Sequence, residues 1–428
     1  MKALLKIAFA SAWNRRATLG LAIAAIALSV TMLLGVERSR LAAREAFAQS
    51  VSGTDLVVGA RTSPVQLMLY AVFRLGEATN NIRWSSAEAL AKRPGVAWTI
   101  PLSLGDSHRG FAVLGTSTGY FEHFRYGYRR PLVVTEGRAF SGTVDGVFEA
   151  VVGAEVARSL HYAIGQRITL SHGSGGGNNG EGLAEHADKP FTIVGILAPT
   201  GTPVDRTVHI SLQAIEAIHL DWQGGAPIPG LAIAPDLVRK FDLTPKTITA
   251  VLVGLDQRGA VFRAQREINE FDGEPLLAVL PGVALDQLWQ VVGIVERTLL
   301  AVSALVLVVG LAGLVAVVLA SLNERRRELA ILRSVGAGPR HIAALLVAES
   351  VGATVLGTVA ALALLAGLSL LAGPWLQGQF GSAPAPGVSG VGEWKLIGLV
   401  LAAGLVAGVL PAWRACRLSL SDGLTPRL

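Results

Sequence analysis

The chain has 428 residues, a mean hydropathy of +0.50, 51% hydrophobic residues and only 16% charged ones. A soluble domain carries about a quarter charged residues, so much of this chain is not built to meet water. The net charge of +6 and pI near 9.7 would suit nucleic acid, but the excess cations gather in short stretches beside apolar runs, which makes them a topology signal and leaves nucleic-acid binding without support.

The first predicted element is a membrane span over Ala17–Val36, behind Lys2, Lys6, Arg15 and Arg16. Those cations place the N-terminus, residues 1–16, in the cytoplasm. The run reaches the ~20 residues that a hydrocarbon core of about 30 Å requires. It ends in Gly35-Val36-Glu37-Arg38, without the small-x-small pattern of a cleaved leader.

From Glu37 to Arg297 the composition turns mixed, with room for one or two packed domains on the outer side. Strands are expected at Asp55–Val58, Phe111–Leu114, Ala150–Val152, Arg167–Leu170, Phe191–Leu197, Thr207–Ile210 and Thr249–Val253. Helices are expected at Glu37–Ser50, Ser85–Lys92, Gly153–Leu160, Leu212–His219, Val261–Phe271 and Ala284–Arg297. The first and last of these continue into membrane spans, so both ends of the outer domain would be mounted on stiff helices. His172–Asp188, with Gly-Ser-Gly-Gly-Gly-Asn-Asn-Gly inside it, reads as a loose loop. His172 and His186 bracket this loop, with Glu181, Glu185 and Asp188 nearby. Imidazoles and carboxylates are suitable zinc ligands, although the spacing matches no tight zinc motif. The plain alternative is a solvated polar loop.

Three further spans follow at Thr298–Leu322, Ile342–Gly373 and Leu396–Trp413, giving four in all and returning the tail, residues 414–428, to the cytoplasm. Pro374–Lys395 is then an outer loop, and Trp375, Trp394 and Trp413 lie at span ends, where indole rings favour the headgroup level. The expected fold class is therefore a membrane α-helical protein of four spans, with a large mixed α/β domain inserted between the first and second.

Residues 323–341 form a short basic turn between the second and third spans. Glu324–Val335 is rich in helix formers, with Leu329, Leu332 and Val335 on one side. Glu324 can pair with Arg327, and Arg325 with Glu328. Gly336 suits a C-cap and Pro339 the first turn of the next helix. Topology alone needs no such capped, striped helix, so a protein-docking role is favoured over a lipid-facing turn. Glu349 is the acid inside the third span. Acids in membranes are functional by default, but its place shortly after the turn favours a structural partnership with Arg326, Arg333 or Arg340. Gly404 and Gly408 form a GxxxG pair, a mark of close helix packing.

Enzyme chemistry is not visible. No GxxxxGK[ST] phosphate loop occurs, because Gly336-Ala-Gly-Pro-Arg lacks the lysine. No nucleophilic triad stands out, and the lone Cys416 falls in the predicted cytoplasmic tail. With no disulfides, the outer domain must rest on apolar packing.

ERRRELAILRSVGAGPRHI, then Glu349, then PAWRACRLSLSDGL resemble the signature of FtsX-like ABC transporter permeases. VVGAEVARSLHYAIGQRITL and FTIVGILAPTGTPVDRTVHISL resemble the periplasmic core domain of its MacB and LolC branch. The resemblance implies a permease subunit in the bacterial inner membrane, both termini cytoplasmic, paired with a second permease, identical or related, and with two copies of an ATPase that binds ATP and Mg. The turn would be the coupling helix, through Glu324, Arg325, Arg326, Arg327, Glu328, Leu329, Leu332, Arg333, Gly336 and Arg340. ATP-driven motion would then reshape the periplasmic domain by mechanotransmission, for export, extraction or handling of a substrate, with membrane lipid and a periplasmic adaptor or binding protein as further partners. Two alternatives follow from the same resemblance: a zinc-uptake system, with zinc at His172 and His186, and an FtsX-like signalling scaffold that activates a periplasmic partner.

Overall fold

The computed structural model describes residues 15–76, 78–173, 185–223, 226–228, 230–231, 233–324, 331, 333–334, 336–380, 387–388 and 390–417. In chain order the principal elements are α1 (Arg16–Gln49), β1 (Leu56–Ala60), α2 (Pro64–Ala71), α3 (Trp84–Ala91), β2 (Val96–His108), β3 (Phe111–Thr116), α4 (Gly119–His123), β4 (Val134–Gly137), β5 (Glu149–Val152), α5 (Ala154–Leu160) and β6 (Arg167–Ile168). They continue with β7 (Ser171–His172), β8 (Phe191–Leu197), β9 (Thr207–Ser211), α6 (Leu212–His219), β10 (Ala250–Leu255), α7 (Val261–Asn269), β11 (Leu276–Val279), α8 (Pro281–Glu324), α9 (Pro339–Phe380) and α10 (Val391–Arg417). The chain divides into a helical unit of Met1–Ala42, Gly293–Trp375 and Ala383–Leu428, and an α/β unit of Ala43–Val292 with Leu376–Ser382.

The α/β unit is built on one mixed sheet in the order β11-β1-β10-β2-β3-β9-β5-β8-β4, with β7 added to β2 and β6 to β8. The pairs β3–β9 and β5–β8 are parallel and the others antiparallel. Central strands read as near-continuous apolar runs because both faces are covered. The period of two sends Val57, Leu102 and Leu252 into one core and Val58, Val251 and Val253 into another.

Several elements of this unit escape sequence reading, β2 and α2 among them. β2 contains Pro101 and Gly105, both of which weaken a strand assignment, yet it lies between β10 and β3 and pairs along both edges. α2 carries a start signal in Ser63-Pro64: the Ser63 hydroxyl accepts from the Gln66 N–H and Pro64 opens the helix.

The helical unit contains four helices long and apolar enough to cross a membrane. Their shared core includes Ile26, Val30, Leu34, Leu314, Val318, Leu346, Ala361 and Val400. A Cβ at Gly404 would come within 2.3 Å of the Thr354 side chain, and one at Gly408 within 2.9 Å of Ser350. Those glycines let α10 approach α9 at backbone distance.

Two helix ends reach into the expected outer loop Pro374–Lys395. α9 runs through Pro374 to Phe380, past Gly373; a proline removes one intrahelical bond without having to end a helix. α10 begins at Val391, five residues before Leu396. There Glu393 is buried against Arg38 on α1, with Nη2–Oε2 at 3.1 Å, so its charge does not keep it out of the helix.

Candidate functional site

Most of the predicted docking turn, namely Arg325, Arg326, Arg327, Glu328, Leu329 and Leu332, lies outside the described residues, and of Glu324 only its place at the end of α8 is described. At the far side of the turn the Gly336 N–H donates to the Arg333 carbonyl at 3.0 Å, and Gly336 has φ of +99°. A left-handed C-cap of that kind is where glycine is favoured. Arg333 donates to the Ala415 carbonyl on α10 at 3.2 Å, and Arg340 is exposed in the first turn of α9.

Glu349 has an ion partner at the N-terminal end of the chain, while Arg326, one of the arginines expected beside it, lies outside the described residues. Arg15, immediately ahead of α1, donates through Nη2 to its Oε1 at 2.8 Å, with both side chains about nine-tenths buried. In the sequence Arg15 carries only an orientation signal. Pairing with an arginine 334 residues away in sequence leaves no spacing pattern to read.

The densest chemistry lies in the α/β unit, at the outer part of β2. The ladder between β2 and β3 shifts register between Leu104 and Ser107, and bulges of this kind re-aim side chains. β7 pairs with this stretch and sets His172 opposite Asp106. The Gly173 N–H donates to the Gly105 carbonyl at 2.8 Å. Glu185 then bridges to Ser171, and the His186 N–H donates to the Leu170 carbonyl at 2.8 Å. From another side comes α6, whose Ser211 hydroxyl accepts from the Ala214 N–H at 3.1 Å; the helix ends at His219.

These elements bring Asp106, His172, His186 and His219 together, with one donor atom of each lying within 4.8 Å of the others. His172 Nδ1 is 3.2 Å from Asp106 Oδ1 and 3.1 Å from His219 Nε2, and His219 Nε2 is 3.6 Å from the same Asp106 oxygen. The other nitrogen of His219, Nδ1, is 2.8 Å from the Ile215 carbonyl. A carbonyl only accepts, so Nδ1 carries a proton, and in the neutral tautomer Nε2 presents its lone pair to the cluster.

His186 is fully buried, and among the described residues neither ring nitrogen has a hydrogen-bond partner. Burial, reinforced by His219, pulls its pKa down to about 4, so the ring is neutral at pH 7. The Trp222 ring packs against it with centroids 4.0 Å apart.

A sealed ion pair steadies the two segments that carry His186 and His219. Lys189 Nζ lies 2.6 and 2.7 Å from the two Asp221 oxygens, with the lysine side chain 0% exposed. Asp221 also accepts from the Ile233 N–H at 3.0 Å.

The predicted pair His172 and His186 is thus brought together, and the carboxylates grouped with them are not. Glu185 accepts from the Thr169 hydroxyl, Asp188 pairs with Lys189 at 2.8 Å, and Glu181 lies outside the described residues. Sequence reading missed Asp106 and His219. Their only signal is the strand pairing of β2 with β7 and the length of α6, neither of which a spacing motif records.

Two family models agree with this architecture. Residues 17–269 match the MacB-like periplasmic core domain, and residues 300–420 match the FtsX-like permease C-terminal model. No curated protein matches the chain. Among solved structures it is similar to the periplasmic region of MacB from Actinobacillus actinomycetemcomitans, at 11% identity and TM-score 0.34, covering 57% of this chain and 94% of that one. It is also similar to the extracellular domain of the noncanonic ABC-type transporter YknZ from Gram-positive bacteria, at 12% identity and TM-score 0.30, covering 53% of this chain and 99% of that one.

Proposed function

Since the chain belongs to the FtsX-like permeases that carry a MacB-like periplasmic core domain, we propose that it is the transmembrane subunit that couples a separate ATPase to conformational change in its α/β domain. The observation that carries this reading is the presence of both family regions in one chain, over residues 17–269 and 300–420. ATP and Mg2+ bind the partner ATPase, two copies per complex, and a second permease completes the pair. The absence of a phosphate-loop lysine after Gly336 supports assigning hydrolysis to that partner.

The α/β domain then lies on the periplasmic face of the inner membrane, and both termini lie in the cytoplasm. The cations of Lys2, Lys6, Arg15, Arg16 and Arg325–Arg340 support that orientation through the positive-inside bias. Residues 324–340 dock on the ATPase, and nucleotide-driven closure is transmitted through the membrane helices to the periplasmic side.

The test is co-purification of the full chain with its partner ATPase. Leu332→Asp places a charge on the apolar side of the docking turn, and the expected result is loss of at least about 10-fold in ATPase recovery, a change worth about 1.4 kcal/mol, with membrane insertion retained. Unchanged recovery would move the docking contact elsewhere. Cysteine labelling that finds residues 325–340 on the outer face would overturn the orientation.

A further inference from the structure

We propose that the α/β domain binds one zinc-class divalent ion through Asp106, His172, His186 and His219, with His186 as the buried anchor of the site. The inference rests on the geometry of this domain and is independent of whether the chain docks on an ATPase.

A tetrahedral Zn2+ with donors at about 2.0–2.2 Å sets those donors ~3.3 Å apart. Three of the separations here, 3.1, 3.2 and 3.6 Å, already bracket that value. The fourth donor, from His186, lies within 4.8 Å of the rest, so closing the tetrahedron requires a side-chain adjustment and no rebuilding of the backbone.

Three imidazoles and one carboxylate suit zinc far better than calcium or magnesium, which take oxygen donors. Four protein ligands also fill a tetrahedron and leave no open position, as in a structural or sequestering site rather than a hydrolytic one.

His186 is what raises this cluster above a chance gathering. A buried histidine ordinarily finds a hydrogen-bond partner, as His108 does at the Thr169 carbonyl and the Tyr162 hydroxyl. His209 keeps one contact, to the Val151 carbonyl. Among the described residues His186 has none on either nitrogen, and leaving a desolvated polar atom unpaired is unfavourable. A metal bond uses that lone pair.

The supporting contacts are also of the kind a metal ligand needs. The Ile215 carbonyl fixes the ring orientation and tautomer of His219, and the Lys189–Asp221 pair joins the segments bearing His186 and His219. Because His172 and His186 stand at the two ends of the glycine-rich stretch, an ion here ties both of those ends to β2 and α6.

The full-length protein in lipid nanodiscs, stripped with a chelator, should be titrated with Zn2+ against a chromophoric competitor. The expected result is one ion per chain, a higher melting temperature for the α/β domain, and an intense tetrahedral visible band when Co2+ replaces zinc. His186→Ala should weaken binding by at least about 100-fold and abolish that band, while Asp106→Asn should weaken it about 10-fold. His161→Asn, at an exposed left-handed position outside the cluster, should change neither. Should His186→Ala unfold, His172→Asn replaces it, since that side chain is 32% exposed and its loss leaves the core packed. No saturable Zn2+ binding, or wild-type affinity in either folded variant, overturns the proposal, as does equal affinity for Ca2+.

Discussion

Two ion pairs among the described residues are nearly sealed from solvent, and they sit in different regions. Lys189 with Asp221 belongs to the α/β domain, and Arg38 with Glu393 to the membrane helices. The first joins segments 32 residues apart and steadies two neighbouring histidines. The second joins the first and last helices across 355 residues. In the sheet, apolar packing and ladder bonds already select the fold, so a buried charge there serves placement of side chains. Among lipid-exposed helices every face is apolar, and packing alone discriminates poorly between neighbours. A buried arginine and glutamate in that setting specify which helices adjoin.

That contrast can be broken most sharply at Lys189. Lys189→Ala leaves Asp221 buried without its counter-charge, and the expected destabilisation of the α/β domain is about 3–5 kcal/mol. Chemical denaturation followed by tryptophan fluorescence would measure it through Trp222, and an unchanged midpoint would mean that the backbone bond from Ile233 suffices. The membrane pair should respond differently. Arg38→Ala alone should cost about 3 kcal/mol, whereas Arg38→Met with Glu393→Leu should recover most of that stability. Thermal aggregation assays in detergent read both variants, and a double variant no better than the single would show that charge, not volume, holds the helices. The smallest effect belongs to Ser211→Ala, which removes the cap of α6 and should cost about 1 kcal/mol. A loss of zinc affinity beyond that stability change would show that the cap also sets the reach of His219.

The helices were the legible part of this sequence. Uncharged runs such as Thr298–Leu322 leave little choice but a span, because an extended chain in hydrocarbon would strand its backbone polar groups. Strands such as Phe191–Leu197 and helices such as Leu212–His219 were also readable from β-branched content and periodicity. β2 was not, because Pro101 and Gly105 obscure a thirteen-residue strand held by the adjacent β3 on one edge and the sequence-distant β10 on the other. Half of the candidate site shared the same fate. His172 and His186 stood out beside the glycine-rich stretch, whereas Asp106 is 66 residues from His172 and His219 is 47. Glu349 was readable as a paired acid, but the identity of Arg15 depends on how α1 packs on α9.

The shift in the ladder between Leu104 and Ser107 has a consequence for tracing this basket of donors through evolution. Successive residues of a strand face opposite ways, so the offset decides which side of the sheet Asp106 and its ladder partner His172 face, and hence whether they meet His219 of α6. Deleting a single residue there would restore the regular pleat and turn the carboxylate away. Chains with unrelated histidine spacing could therefore present the same donors, and a chain with identical spacing but an even pleat would not.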